Sequence, residues 1–103
     1  MAHWKAVERA IATYFGGERV PITGRQRGDA PDIEHPWISF EVKHRKKLPD
    51  WLHDAMDQAE ASAVIGEEGE DKLPVVVLHE KGRHHCKDFV VMRARDFRFW
   101  FGD

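Results

Sequence analysis

One short segment, Glu41-Val42-Lys43, carries residue types that are well suited to catalysis. On a strand, Glu41 and Lys43 project from the same face, about 6.5–7 Å apart along the chain, while Val42 faces the opposite side. If residues 31–34 form a neighbouring strand, the carboxylate of Asp32 can converge on that of Glu41. Two close carboxylates repel each other unless a cation lies between them or one is protonated, and such hard oxygen ligands suit Mg²⁺. A lysine beside the ion can stabilise charge on a phosphate or orient a water molecule, which indicates metal-assisted hydrolysis at phosphorus.

A first helix is predicted upstream of this segment, over residues 3–15, because apolar side chains recur there at helical spacing. A pair of glycines ends it. Glu8 lies one turn from Trp4 and therefore on or beside the apolar face. A carboxylate in that position needs a cation, a metal ion, hydrogen bonds or a proton.

The chain between the helix and the Glu-Val-Lys segment is predicted to be a short extended piece and then a loop. Residues 19–22 form the extended piece, and glycine and proline punctuate the loop over residues 23–31. Residues 37–45 then alternate between apolar and polar side chains, as a half-buried strand does. Ser39 shares the face of Glu41, where it could line a site or be an ordinary outward-facing serine. Asp29 competes with Asp32 as a metal ligand, although a turn residue is the simpler interpretation.

The second half is predicted to contain another helix over residues 49–65 and two strands over residues 73–79 and 88–92. The helix has an apolar stripe (Leu52, Ala55, Met56, Ala59, Ala63) and an acidic outer side (Asp50, Asp54, Asp57). The continuous aliphatic run of the first strand suits the middle of a sheet. The aromatic C-terminal end is expected to pack back as a short helix or strand, as core rather than as a dimer surface.

Composition narrows the class of protein. A chain of 103 residues supports one domain over residues 1–103, and a single cysteine, Cys86, excludes an internal disulfide. No apolar run approaches the length of a membrane span and no secretory signal is visible, so a cytoplasmic protein without a membrane or disulfide partner is expected. The net charge of −2 hides basic segments on both sides of an acidic one, a distribution that permits a nucleic-acid partner. His84, His85 and Cys86 are metal-ligand types, but consecutive residues rarely bind one ion, so they are interpreted as a polar turn.

Asp32, followed nine residues later by Glu41-Val42-Lys43, resembles the PD-(D/E)XK nuclease motif. The run over residues 41–49 resembles specifically the Holliday junction resolvases of archaea and their viruses. The similarity covers about residues 4–65 in order and includes a helix with an acidic residue and a basic, glycine-containing loop. It implies an α/β, restriction-endonuclease-like fold in which helices flank a mixed β-sheet.

The resemblance also implies a site. Asp32, Glu41 and the carbonyl of Val42 would bind Mg²⁺, for which Mn²⁺ could substitute, Glu8 would be a further acid, and Lys43 would be the catalytic lysine. The resemblance also suggests that Gln58 can point into the site. It further implies that four basic residues contact the phosphate backbone: Arg25, Arg27, Lys46 and Lys47.

The function expected from this resemblance is that of a structure-specific, Mg²⁺-dependent DNA endonuclease that resolves four-way junctions as a homodimer. Two alternatives stay open. One is another small nuclease of the same superfamily, directed to nicks or flaps. The other is a non-catalytic DNA-binding module on the same fold.

Overall fold

A computed structural model describes residues 3–19, 33–64 and 72–102. The described chain combines helices with two small antiparallel sheets, which agrees with the predicted α/β class. It divides into two compact units, Met1–Lys46 (the N-terminal unit) and Lys47–Asp103 (the C-terminal unit). No helix within the described ranges is long and apolar enough to cross a membrane.

The N-terminal unit begins with helix α1, His3–Tyr14, which confirms the first predicted helix. Gly16 follows it with a φ of +76°, a left-handed conformation that glycine adopts without strain. The amide of Gly17 donates to the carbonyl of Ala12 at 2.8 Å, and this bond closes the end of the helix. Ala12 is only 1% exposed, so it belongs to the core of the unit.

Two short strands pack against α1: β1, Glu18–Arg19, and β2, Ile33–Glu34. They pair antiparallel, with Glu18 opposite Glu34. Ile33 is 1% exposed and is the apolar anchor of this sheet. The chain approaches itself closely here, because a Cβ placed on Gly17 would lie 2.6 Å from the carbonyl oxygen of Glu34.

The predicted strand over residues 37–45 is wrong as secondary structure, because the structure has no strand there. Its predicted alternation is confirmed as far as Lys43: Ile38, Phe40 and Val42 are half-buried, and the residues between them are exposed. The alternating pattern reports which side chains turn inward, whereas a strand also requires a hydrogen-bonded neighbour. In the part of the chain that the structure describes, β2 pairs with β1 and not with this segment.

The C-terminal unit begins with helix α2, Asp50–Val64, which confirms the second predicted helix. Met56 is 4% exposed. The other residues of the predicted apolar stripe are half-buried, and the three aspartates of the acidic side are exposed. Glu60 accepts hydrogen bonds from the guanidinium groups of Arg93 and Arg95 at 2.9 and 2.6 Å.

The second sheet consists of β3, Val76–Leu78, and β4, Phe89–Val91, paired antiparallel with Leu78 opposite Phe89. A 3₁₀ turn, His85–Lys87, lies between them and overlaps the predicted polar turn at residues 84–86. The expectation that β3 occupies the middle of a sheet is wrong for the described residues. It has one partner strand, and Val77 and Val90 face each other with more than half of each side chain exposed.

The chain continues into helix α3, Ala94–Phe101, so the C-terminal end takes the helical one of its two predicted forms. Its aromatic residues are not all core, contrary to expectation. Phe97 is half-buried and contacts the ring of Phe101, whereas Phe99 is 73% exposed and Trp100 is 46% exposed. On a helix with 3.6 residues per turn, residues 97, 99, 100 and 101 span about 200° of the circumference, which is wider than one buried face.

Candidate functional site

Glu41 and Lys43 lie side by side on the surface of the N-terminal unit. The Nζ atom of Lys43 is 2.9 Å from Oε1 of Glu41, and the two side chains are 65% and 77% exposed. Val42 between them is half-buried. The predicted juxtaposition of the carboxylate and the ammonium on one face is therefore confirmed.

The exposure of this pair bears on what it can do. A solvent-exposed ion pair contributes about 0–1 kcal/mol to stability, because water already solvates both charges. Glu41 can therefore exchange its lysine partner for another cation at little cost. Lys43 can likewise move to a phosphate oxygen, so both groups are available to an ion and an anionic substrate.

Glu8 occupies a different environment in the same unit. It lies on α1, one turn before Ala12, and it is 7% exposed, which confirms its predicted position on the apolar face. A buried carboxylate requires a partner or a proton, so Glu8 is an unusual residue for a helix core.

The remaining predicted site residues are distributed as follows. Asp32, Asp29, Arg25 and Arg27 lie outside the described residues, as does the predicted loop that holds the two arginines. Gln58 is an exposed residue of α2, and Lys47 is exposed, 3.4 Å from a carboxylate oxygen of Asp50. Lys46 is exposed in the N-terminal unit.

Ser39 lines an open pocket of about 640 Å³ in the N-terminal unit, together with Gly17, Ile33 and Glu34. His35 also lines it and is held at both ring nitrogens. Its Nε2 is 2.8 Å from the carbonyl oxygen of Phe15, and its Nδ1 accepts from the amide of Trp37 at 3.3 Å. Because a carbonyl only accepts, Nε2 is the ring nitrogen that donates in this arrangement.

Sequence reasoning did not find a cluster in the C-terminal unit, where His79, His85 and Asp88 bring potential ligand atoms within 4.8 Å of one another. The interpretation of residues 84–86 as a polar turn agrees with the structure. The Nδ1 atom of His84 accepts from the amide of Cys86 at 3.2 Å and so caps the 3₁₀ turn. The signal that could have indicated the cluster is a histidine directly after one strand and an aspartate directly before the next.

No protein-family model, curated protein or solved structure gives a significant match to this chain.

Proposed function

We propose that the chain is a Mg²⁺-dependent endonuclease that hydrolyses phosphodiester bonds in DNA, with four-way junctions as its substrate. The observation that carries the proposal is the Glu41–Lys43 pair, a carboxylate and an ammonium 2.9 Å apart on an accessible surface. The sequence around the pair, with Asp32 upstream, supplies the resemblance to PD-(D/E)XK nucleases. The proposed fold is the restriction-endonuclease-like one, and the proposed location is the cytoplasm.

The donor atoms fit the ion. Glu41 offers hard carboxylate oxygens, and the backbone carbonyl of Val42 is a ligand of the same kind. In this proposal Asp32 completes the set and Glu8 contributes a further acidic group. Bound Mg²⁺ would lower the pKa of a water molecule and withdraw charge from the phosphate.

The chain's own side chains have separate tasks in this proposal. Lys43 holds the scissile phosphate and stabilises the charge that develops on its oxygens. Lys46 contacts phosphates of the backbone without regard to sequence, as Lys47 and the arginines of the predicted loop also would. Symmetric cuts on two opposed strands require two equal sites, which a homodimer provides.

The test is cleavage of a labelled four-way junction beside a linear duplex of the same sequence, with Mg²⁺ and with EDTA. We expect paired nicks on the junction, abolished by EDTA and by Glu41→Ala or Lys43→Ala. The matched control is Glu80→Ala, which removes a similarly exposed ion pair, with Arg83 at 2.7 Å, in the C-terminal unit.

The other outcomes separate the alternatives. Equal cleavage of both substrates would support a nuclease of the same superfamily that has no junction specificity. Binding of DNA that needs no metal, with no cleavage by the folded protein, leaves the non-catalytic DNA-binding module.

A further inference from the structure

The hairpin of the C-terminal unit brings together three side chains from separate positions in the chain. His79 directly follows β3 and Asp88 directly precedes β4, and because Leu78 pairs with Phe89, the antiparallel register places these two residues across from each other. His85 belongs to the 3₁₀ turn, and its carbonyl accepts from the amide of Asp88 at 3.0 Å. The backbone hydrogen bonds of the hairpin and the turn therefore fix the backbone positions from which the three side chains project.

The carboxylate of Asp88 lies at the edges of the two imidazole rings and contacts the Nδ1 atom of each. One oxygen is 2.6 Å from Nδ1 of His79, and the other is 3.2 Å from Nδ1 of His85. The ring centroids are 4.6 Å apart, and the ring planes are inclined by 35°. The Asp88 side chain is 12% exposed, whereas that of His85 is 85% exposed, so the cluster is closed on one side and open to water on the other.

We propose that His79, His85 and Asp88 bind a divalent transition-metal ion, Zn²⁺ in particular, through one nitrogen of each imidazole and the carboxylate. Bonds of about 2.0–2.2 Å to a tetrahedral ion separate its ligand atoms by about 3.3–3.6 Å. Ligand atoms of these residues already lie within 4.8 Å of one another, so small side-chain rotations close the site. Water takes the fourth position on the open side.

The donor set selects the class of ion. Two imidazoles and a carboxylate suit zinc, copper or nickel, whereas Mg²⁺ prefers oxygen ligands. This site is therefore chemically distinct from the one proposed around Glu41. The hydrogen bond from His79 lowers the pKa of the Asp88 carboxyl, and the bond from His85 acts in the same direction.

Binding of the ion requires the Nδ1 atom of each ring to give up the proton that it shares with Asp88. An ionised carboxylate only accepts, so each Nδ1 carries the shared proton when no ion is bound. When the ion binds, each imidazole holds a proton only on Nε2 and donates the Nδ1 lone pair. The ion then joins both ends of the turn between β3 and β4.

The experiment is calorimetric titration of the full chain with Zn²⁺, followed by the same titration with Mg²⁺. We expect one Zn²⁺ per chain and no Mg²⁺ at this site. His79→Gln, His85→Gln and Asp88→Asn should each weaken Zn²⁺ binding by at least about tenfold. The ¹⁵N resonances of the His79 and His85 rings should show which nitrogen binds the ion.

Three controls make the result specific. Cys86→Ser removes a neighbouring thiol, His53→Gln removes an exposed histidine of α2, and Glu41→Ala alters the proposed nuclease site. All three should bind Zn²⁺ as the unaltered chain does. Circular dichroism checks folding, and His85→Gln is the decisive variant because that side chain is almost fully exposed and its loss disturbs packing least.

Two results would overturn the proposal. One is a folded chain that produces no heat with Zn²⁺, in which case the cluster is a hydrogen-bonded group only. The other is Zn²⁺ binding that survives His85→Gln and Asp88→Asn but disappears in Cys86→Ser, which places the ion at the thiol.

Discussion

Glu41 in the N-terminal unit and Asp88 in the C-terminal unit are both carboxylates with a basic partner, but solvent reaches them very differently. Glu41 is 77% exposed and contacts one flexible lysine. Asp88 is 12% exposed and contacts the Nδ1 atoms of two imidazole rings whose positions are set by a hairpin and a 3₁₀ turn. An exposed pair exchanges partners easily and suits transient contact with an ion and a substrate. A carboxylate that is largely shielded from water, as Asp88 is, suits lasting contacts with the same partners.

The largest expected effect is on catalysis in the N-terminal unit. Glu41→Ala and Lys43→Ala should each lower the single-turnover rate of junction cleavage by about 10²–10⁴-fold, the range typical of groups that act in the transition state. The free energy of unfolding, measured with urea, should change by less than about 1 kcal/mol because the pair is exposed. A variant that loses stability but keeps its cleavage rate would show that the Glu41–Lys43 pair has a structural role and not a catalytic one.

Backbone packing gives the next largest effect. Gly17→Ala should lower the free energy of unfolding by about 1–3 kcal/mol, because the new methyl would lie 2.6 Å from the carbonyl oxygen of Glu34 and 3.0 Å from Ile33. Gly82→Ala in the C-terminal unit is the matched control. It meets no atom within 4 Å and suffers only the strain of a φ of +87°, a cost of about 1 kcal/mol. Equal losses in urea unfolding would show that the contact around Gly17 relaxes freely.

Glu60 in the C-terminal unit tests how partial burial of a carboxylate changes its contribution to the free energy of unfolding. It is 25% exposed and accepts from both Arg93 and Arg95, so Glu60→Ala should lower the free energy of unfolding by about 1–2 kcal/mol. Asp57→Ala removes a carboxylate that is 71% exposed and contacts Arg93 at 3.3 Å. It should cost less than about 0.5 kcal/mol in the same urea experiment. If the two variants lose the same stability, exposure does not separate these ion pairs.

The smallest effect concerns DNA affinity. Lys46→Ala should weaken binding of a junction uniformly across sequences and reduce the slope of log affinity against log salt by about 1, since one phosphate contact is lost. Fluorescence anisotropy without divalent ions, at several salt concentrations, measures this slope. Lys81→Ala, an exposed lysine of the turn after β3, is the control and should leave the slope unchanged. An unchanged slope for Lys46→Ala would place the DNA elsewhere.

The helices were predictable because a helix is a local structure. Its apolar residues recur within one turn, so the stripe around Met56 and the buried position of Glu8 follow from spacing alone. The alternation over residues 37–43 was equally readable, and it correctly separated the inward Val42 from the outward Glu41 and Lys43. The sequence did not predict that this segment is not a strand, because strand pairing depends on residues that are distant in the sequence.

The sequence by itself determined both main helices, the inward and outward sides of residues 37–43, and the juxtaposition of Glu41 with Lys43, because each depends on neighbours a few residues apart. Only the tertiary structure decided that β3 has a single described partner and that Phe99 stays exposed. It also decided that His79 and His85 meet at Asp88. That meeting depends on the hairpin register, and a shift of one residue in a strand turns every side chain to the other face.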